Sequence, residues 1–318
     1  MNPILTAMSS IFFFVGVGVL LKIIHDIHFF NFSKLWRRVG CADGGLSQAL
    51  AVFVLNISLP ALIGTSILQS NWRALTNNVI IGNFVVIAGV MILIVGFTRL
   101  FQFETKIANA YIVGGILGSV SYLAPRYILT IFPYAGETVK ALLALHYGLI
   151  FILGMIMLEH YSRDRRAHIG DFLTQIICRP IVVAVLGALT LSRLDIALPD
   201  EIMAGLIIIG KTGEPLILIA IGFFAAKSLA FDRAVLHAVA ISIIKLFVVP
   251  SVFFYASHLS RYAPSFHINI LETAMPVSLA SFALTSRYPI DKKILALAIL
   301  ISSLLSIISL TLLHGWLS

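Results

Sequence analysis

Long apolar runs separated by short polar joints fill this chain from one end to the other. A helix needs about 20 mainly apolar residues to cross the hydrocarbon core of a bilayer. Ten runs reach that length, at 4–24, 47–68, 79–101, 107–132, 138–158, 172–193, 202–226, 234–258, 267–286 and 293–316. The pattern predicts an all-α polytopic membrane protein with ten transmembrane helices. The fourth run is the least regular. Its Gly114-Gly115-Ile116-Leu117-Gly118-Ser119 stretch is poor in bulky apolar residues and leads straight to Pro125.

Prolines interrupt four of the runs. Asn56-Ile57-Ser58-Leu59-Pro60 falls in the second and Ala124-Pro125-Arg126 in the fourth. Gly213-Glu214-Pro215 falls in the seventh and Ala274-Met275-Pro276 in the ninth. A proline inside a helix frees backbone groups, which are costly in hydrocarbon unless they line a cavity or find a partner. Helix breaks at Pro60, Pro125, Pro215 and Pro276 therefore predict a five-plus-five internal repeat. Paired interrupted helices point to a secondary transporter with a site near the bilayer midplane.

The polar joints set orientation. Lys and Arg number 14 in the odd-numbered joints against 3 in the even-numbered ones, Arg73, Arg193 and Arg261. Lys140, at the end of the fifth run, raises the smaller figure to 4. Positive-inside bias puts the odd joints in the cytoplasm and both termini outside. Five crossings reverse direction, so the second half is inverted relative to the first. The expected domains are a first repeat at 1–158, a short charged cytoplasmic linker at 159–171 and a second repeat at 172–318.

Composition narrows the class further. Of 318 residues, 59% are hydrophobic and 11% charged, which excludes an ordinary soluble domain. The net charge of +8 belongs to the membrane joints and implies no nucleic-acid partner. Basic residues follow the first run rather than precede it, so it reads as a permanent helix and not a cleaved signal. Cys41 and Cys178 have no motif spacing, and His146, His160 and His237 have no metal spacing. No His-Glu-x-x-His, Cys-x-x-Cys or Walker loop occurs, so neither metal, cofactor nor enzyme chemistry is expected. Gly16, Gly18, Gly115 and Gly118 suit close helix packing. Asn31-Phe32-Ser33 fits a glycosylation site formally, but on the cytoplasmic side.

Charges inside the runs are the candidate chemistry. An ionisable residue at membrane depth usually faces a cavity and has a partner. Arg126 follows Pro125, and its planar fork suits a carboxylate. Its structural alternatives are a permanent pairing with Glu137 or Glu272, or snorkelling to the membrane surface. Glu272 lies four residues before Pro276 and could cycle a coupling proton or bind a cation. Lys211 and Glu214 are three apart in the seventh run and suit a structural ion pair. Lys245 in the eighth run is either a fixed positive charge replacing a sodium ion or a partner for Glu214 or Glu272. Asn56, Ser121, Asn269 and Ser278, with Ser58 and Ser119, offer neutral hydrogen bonds near the breaks. Such hydroxyls often bond back to their own helix.

Several motifs then form one ordered set. They are Phe53-Val54-Leu55-Asn56-Ile57-Ser58-Leu59-Pro60-Ala61-Leu62; Arg179-Pro180 with Leu186-Gly187; Glu214-Pro215-Leu216 with Ala220-Ile221-Gly222; Lys245-Leu246 with Pro250; and Met275-Pro276 with Ser286-Arg287-Tyr288. Together they resemble the auxin efflux carrier family, which includes plant PIN-type auxin transporters and bacterial malonate or malate carriers. Many members have an Asn-Gly-Phe-like segment before the fourth-run proline, where this chain has Gly118-Ser119-Val120-Ser121-Tyr122-Leu123-Ala124-Pro125.

The resemblance implies a sodium/proton-antiporter-like fold, with runs four and nine crossing at Pro125 and Pro276. A transport domain would move against a scaffold domain, giving alternating access for a small mono- or dicarboxylate. A homodimer through the scaffold is a further partner the resemblance allows, beside the lipid bilayer. The short central joint favours a bacterial inner-membrane member with periplasmic termini. The competing readings are a bile-acid-sodium-symporter-like carrier, a passive ion channel and a membrane-embedded enzyme.

Overall fold

Apolar sequence in a bilayer has no water to satisfy its backbone, and the helix answers this within a single segment. Every regular element among the described residues is accordingly helical. The computed structural model describes residues 12–21, 45–71, 75, 77–119, 124–132, 136–162, 176–228, 232–259 and 263–317. Its helices are α1 (Phe12–Leu21), α2 (Gly45–Phe53), α3 (Leu59–Leu68), α4 (Asn77–Leu100), α5 (Thr105–Ile116), α6 (Ala124–Ile131) and α7 (Gly136–Ser162). The second half has α8 (Pro180–Arg193), α9 (Asp200–Ser228), α10 (Arg233–Ile243), α11 (Val249–Leu259), α12 (Ala263–Thr273) and α13 (Lys292–Leu317). A 3-10 helix, Leu279–Ser286, lies between α12 and α13.

Six helices are long and apolar enough to cross a membrane: Leu46–Leu68, Ile80–Leu100, Gly136–His160, Asp200–Phe224, Arg233–Ala256 and Lys292–Leu313. They coincide with the second, third, fifth, seventh, eighth and tenth apolar runs. The first and sixth runs contain shorter apolar helices, α1 and α8. The fourth and ninth runs are each divided.

Two of the four expected proline breaks are not breaks. Helix α9 continues unbroken through Pro215. Proline in a membrane helix is tolerated where neighbouring helices and hydroxyls relieve the backbone. Here Thr212, one turn earlier, bonds the Ile209 carbonyl and meets Ser58 Oγ of the facing segment at 3.2 Å. Pro60 likewise leaves its helix continuous, through a π-turn at Val54–Ser58 that joins α2 to α3. The Leu59 N–H reaches back five residues to the Val54 carbonyl. This wider turn takes the proline ring off the carbonyl it would otherwise strike. The same device precedes Pro250, where a π-turn at Ile244–Val248 joins α10 to α11. Pro125 and Pro276 do sit at interruptions. Pro125 is in the first turn of α6, where proline is suited. Pro276 follows the end of α12.

The helices pack as two groups. Helices α2, α3, α8 and α9 pack on one another, and α4 to α7 with α10 to α13 form the other set. Helix α1 joins the first group through glycine. A Cβ on Gly18 would stand 2.2 Å from the Ile219 carbonyl, and one on Gly222 would stand 2.1 Å from that of Val15. Only hydrogen fits at either position, so these two backbones touch. Gly16 has nothing within 4 Å among the described residues and contributes no such contact there, contrary to the expectation.

The groups meet where α2 begins and α13 begins. Gln48 donates to the Ser286 carbonyl and accepts from Lys292 Nζ, both at 2.9 Å. Arg179, at the start of α8, pairs with Glu159 of α7 at 3.2 Å. Glu159 thus lies within a helix that runs through Ser162, not in a free linker.

Candidate functional site

The fourth and ninth runs cross at their interruptions. After α5 the chain turns extended at Leu117, and after α12 it is extended at Ser278. Gly118 and Val277 form an isolated antiparallel bridge. The Ser119 N–H donates to the Pro276 carbonyl at 2.9 Å, and the Ser278 N–H to the Leu117 carbonyl at 2.8 Å. The Val277 N–H, left over, donates to Ser302 Oγ of α13 at 3.0 Å. Backbone groups released by unwinding thus satisfy one another.

A lysine points into this crossing. Lys245 sits in the π-turn of the eighth run, and 1% of it is exposed. Its Nζ donates to the Thr273 carbonyl at the end of α12, at 2.8 Å. A Cβ on Gly118 would lie 2.9 Å from that Nζ and 3.1 Å from Cε. Gly118 is therefore the gap that admits the ammonium group. A cation at the carbonyl end of a helix is also favoured by the helix dipole.

Behind the lysine runs a buried polar chain. Glu272 of α12 interacts electrostatically with Lys245. Its Oε2 is 2.6 Å from Nδ1 of His146, on α7. His146 Nε2 is in turn hydrogen-bonded to Oδ1 of Asn83, on α4. Asn83, His146 and Glu272 are each wholly buried. Four segments from the third, fifth, eighth and ninth runs thus meet through ionisable or amide side chains.

The other expected site residues are dispersed. Arg126 lies in the first turn of α6, close in sequence to the crossing, but its side chain is outside the described residues. So is all of Ser121. Its suggested structural partners are engaged elsewhere: Glu137 pairs with Lys140 at 3.0 Å, and Glu272 meets His146. Ser278 is at the crossing through its backbone. Asn269, one turn before Thr273, is buried with no hydrogen-bond partner for either amide atom among the described residues. Lys211 is exposed on α9 and Glu214 half-buried on the same helix. Asn56 is exposed and donates to the Val52 carbonyl of its own helix at 2.8 Å.

Asn56 does line a second feature, a cavity of about 430 Å³ between the two helix groups. Glu159, Ser286, Arg287 and Tyr288 complete its polar wall. Burial, with the Glu159 carboxylate nearby, pushes the Tyr288 hydroxyl up to about 12, so it remains a donor throughout the physiological range.

Motif reasoning gives His146 no metal spacing and does not single out Asn83 at all, because neither belongs to a metal or proline signature. The available signal was depth. A histidine near the middle of a run otherwise rich in Leu and Ile needs a partner.

The model of the family described as membrane transport protein matches residues 162–314. A comparison with curated proteins found no match. Lys245, Glu272 and Pro276 fall inside the matched region, whereas Asn83, Gly118 and His146 precede it. With its apolar spanning helices, the chain is similar over residues 162–314 to the membrane transport protein family, the auxin efflux carrier domain.

Proposed function

We propose that this chain carries a small organic anion, a mono- or dicarboxylate, by alternating access around the crossing of runs four and nine. The observation that carries the reading is the Lys245 ammonium group held beside Gly118, where two helices have unwound within the membrane. A fixed cation there offers a charge-assisted contact to a carboxylate. The N-terminus of α6 adds positive potential on the other side of the interruption. Asn269, with an unpartnered amide, and Ser278 supply neutral contacts. Arg126 is a second cationic anchor in this reading, and Ser121 a further hydroxyl.

The two helix groups act as scaffold and transport domain within ten spans arranged as an inverted five-plus-five repeat. The cavity between them, lined by Asn56 and Arg287, serves as the path from the cytoplasmic side. The basic joints favour periplasmic termini, and the short central joint favours a bacterial inner membrane. Sodium coupling has less support, because Glu272 already faces His146 and Lys245.

The test is uptake of labelled malonate, malate and indole-3-acetate into proteoliposomes, for the native chain and Arg126→Ala. Saturable uptake of one anion is expected, and its loss in Arg126→Ala assigns that side chain to the cargo. Absence of saturable uptake for all three would contradict the proposed substrate class.

A further inference from the structure

The contact between His146 and Glu272 constrains where protons lie. The His146 ring nitrogen and the Glu272 carboxylate oxygen are in close contact at 2.6 Å, outside the geometry of a directed hydrogen bond, and the contact is favourable when a proton is held by one of the two. The opposite ring nitrogen faces Asn83 Oδ1, which only accepts. Nε2 donates to this amide when it carries a proton and accepts from it when it does not. With Nε2 protonated and a second proton between ring and carboxylate, His146 and Glu272 together hold two protons and the pair is neutral.

Removing one proton leaves a stable alternative. Neutral His146 keeps its Nδ1–H toward an ionised Glu272, and Nε2 becomes an acceptor. Asn83 can meet that change by turning its amide so that Nδ2 donates. An amide is the side chain able to serve both states, since it carries a donor and an acceptor at equal reach.

The charge at the crossing changes with that proton. In the deprotonated state Glu272 neutralises Lys245 across the end of α12. In the protonated state the pair is neutral, and the Lys245 ammonium group is left with only the Thr273 carbonyl. An anion then binds where the protein has an uncompensated buried cation. Among the described groups, His146 from α7 and Lys245 from the π-turn before α11 are the ones that act on Glu272. Tyr127 of α6 is occupied by the Leu310 carbonyl, and Tyr111 of α5 by His237. Tyr255 of α11 is exposed. The side chains of Arg126 on α6, His258 on α11 and His267 on α12 lie outside the described residues.

We propose that Asn83, His146 and Glu272 form the proton-binding site that couples transport, and that uptake of one proton by this chain releases Lys245 to hold the anion. Proton and anion then bind with mutual reinforcement, each raising affinity for the other by the same factor. Both travel in one direction, as a symport. The inference names the coupling ion for the proposed anion carrier and rests on that reading, but the proton site exists whether or not the cargo is identified.

Two measurements separate the parts. The first needs no cargo: infrared titration of the native chain in lipid, with Glu272→Gln and His146→Gln alongside. One buried carboxyl or imidazole signal of the pair should titrate in the native chain, and it should vanish or move by about one pH unit or more in Glu272→Gln and in His146→Gln. A native chain without such a titrating signal, or one unchanged by Glu272→Gln, overturns the proton site. The second is malonate affinity as a function of pH. On the alkaline side of that titration it should rise by up to about tenfold per pH unit of acidification, the limiting slope of one linked proton, and level off below it. Malonate carried with no pH dependence overturns the coupling and leaves the anion carrier standing. A titrating pair in a chain that carries no malonate upholds the proton site and counts against the cargo alone.

Discussion

Glu272 Oε2 and His146 Nδ1 lie 2.6 Å apart, on helices from the ninth and fifth runs, with both side chains wholly buried. Neither group would be tolerated there alone. Removing one member of a buried ionic pair strands the other, at about 3–5 kcal/mol. Glu272→Ala and His146→Ala should therefore each lower unfolding stability in detergent by that order. The double variant should lose much less than the sum, because no partner is stranded. Strict additivity in that cycle would show that the two groups do not interact.

Gly118 and Lys245 make a second pair whose effect should be functional rather than structural. The Gly118→Ala methyl would stand 2.9 Å from Nζ, at the far end of a flexible side chain. The ammonium group moves and the fold survives. Its hydrogen bond to Thr273 and its place at the crossing are lost together. Uptake should fall about tenfold or more, the equivalent of a charged hydrogen bond, while the protein stays folded with its stability lowered by no more than that one bond. A variant that unfolds, or one with native uptake, would contradict the assignment.

Gly18, Gly222 and Gly16 provide an internally controlled test of the α1–α9 contact. Alanine at Gly18 or Gly222 sets a methyl against backbone that cannot swing aside. Each should destabilise by about 1–3 kcal/mol, as overpacking does. Gly16→Ala meets nothing within 4 Å among the described residues and should be close to neutral. Equal effects at Gly16 and Gly18 would remove the basis for this contact.

Asp232 caps α10 and meets Lys293 Nζ of α13 at 2.6 Å. The Lys293 hydrogen bond, aided by the Ala234 N–H, holds its carboxyl below the usual carboxylate range. The stabilisation is complete above that usual range and is lost as pH falls through the lowered value. The melting temperature of Asp232→Asn should lie slightly below native at neutral pH, and the gap should close in acid. A gap that persists in strong acid would exclude ionisation as its cause.

Legibility in the sequence followed the physics of each feature. The spanning helices could be read because apolar length is a local property, and six of the ten runs are single long helices. The interruptions were legible from Pro125 and Pro276, each beside small or polar residues that do not rebuild a helix, whereas their crossing was implied only by the family resemblance. Pro60 and Pro215 misled because a proline only removes a donor and adds a clash. At Pro60 a π-turn absorbs both, and α9 runs on through Pro215. Asn83 and His146 were not legible because their meaning is relational. They are 63 positions apart, and Glu272 is more than a hundred further on. Only the packing of α4, α7 and α12 turns three isolated polar residues into one chain.

The most direct test of the central claim is labelled malonate uptake into proteoliposomes by the native chain and by Lys245→Met, which keeps the length of the side chain and removes its charge. The account predicts saturable native uptake and a loss of about ten- to a hundred-fold in apparent affinity in the variant, with folding retained. Native-like uptake by a folded Lys245→Met protein would show that the cation at the crossing does not hold the anion.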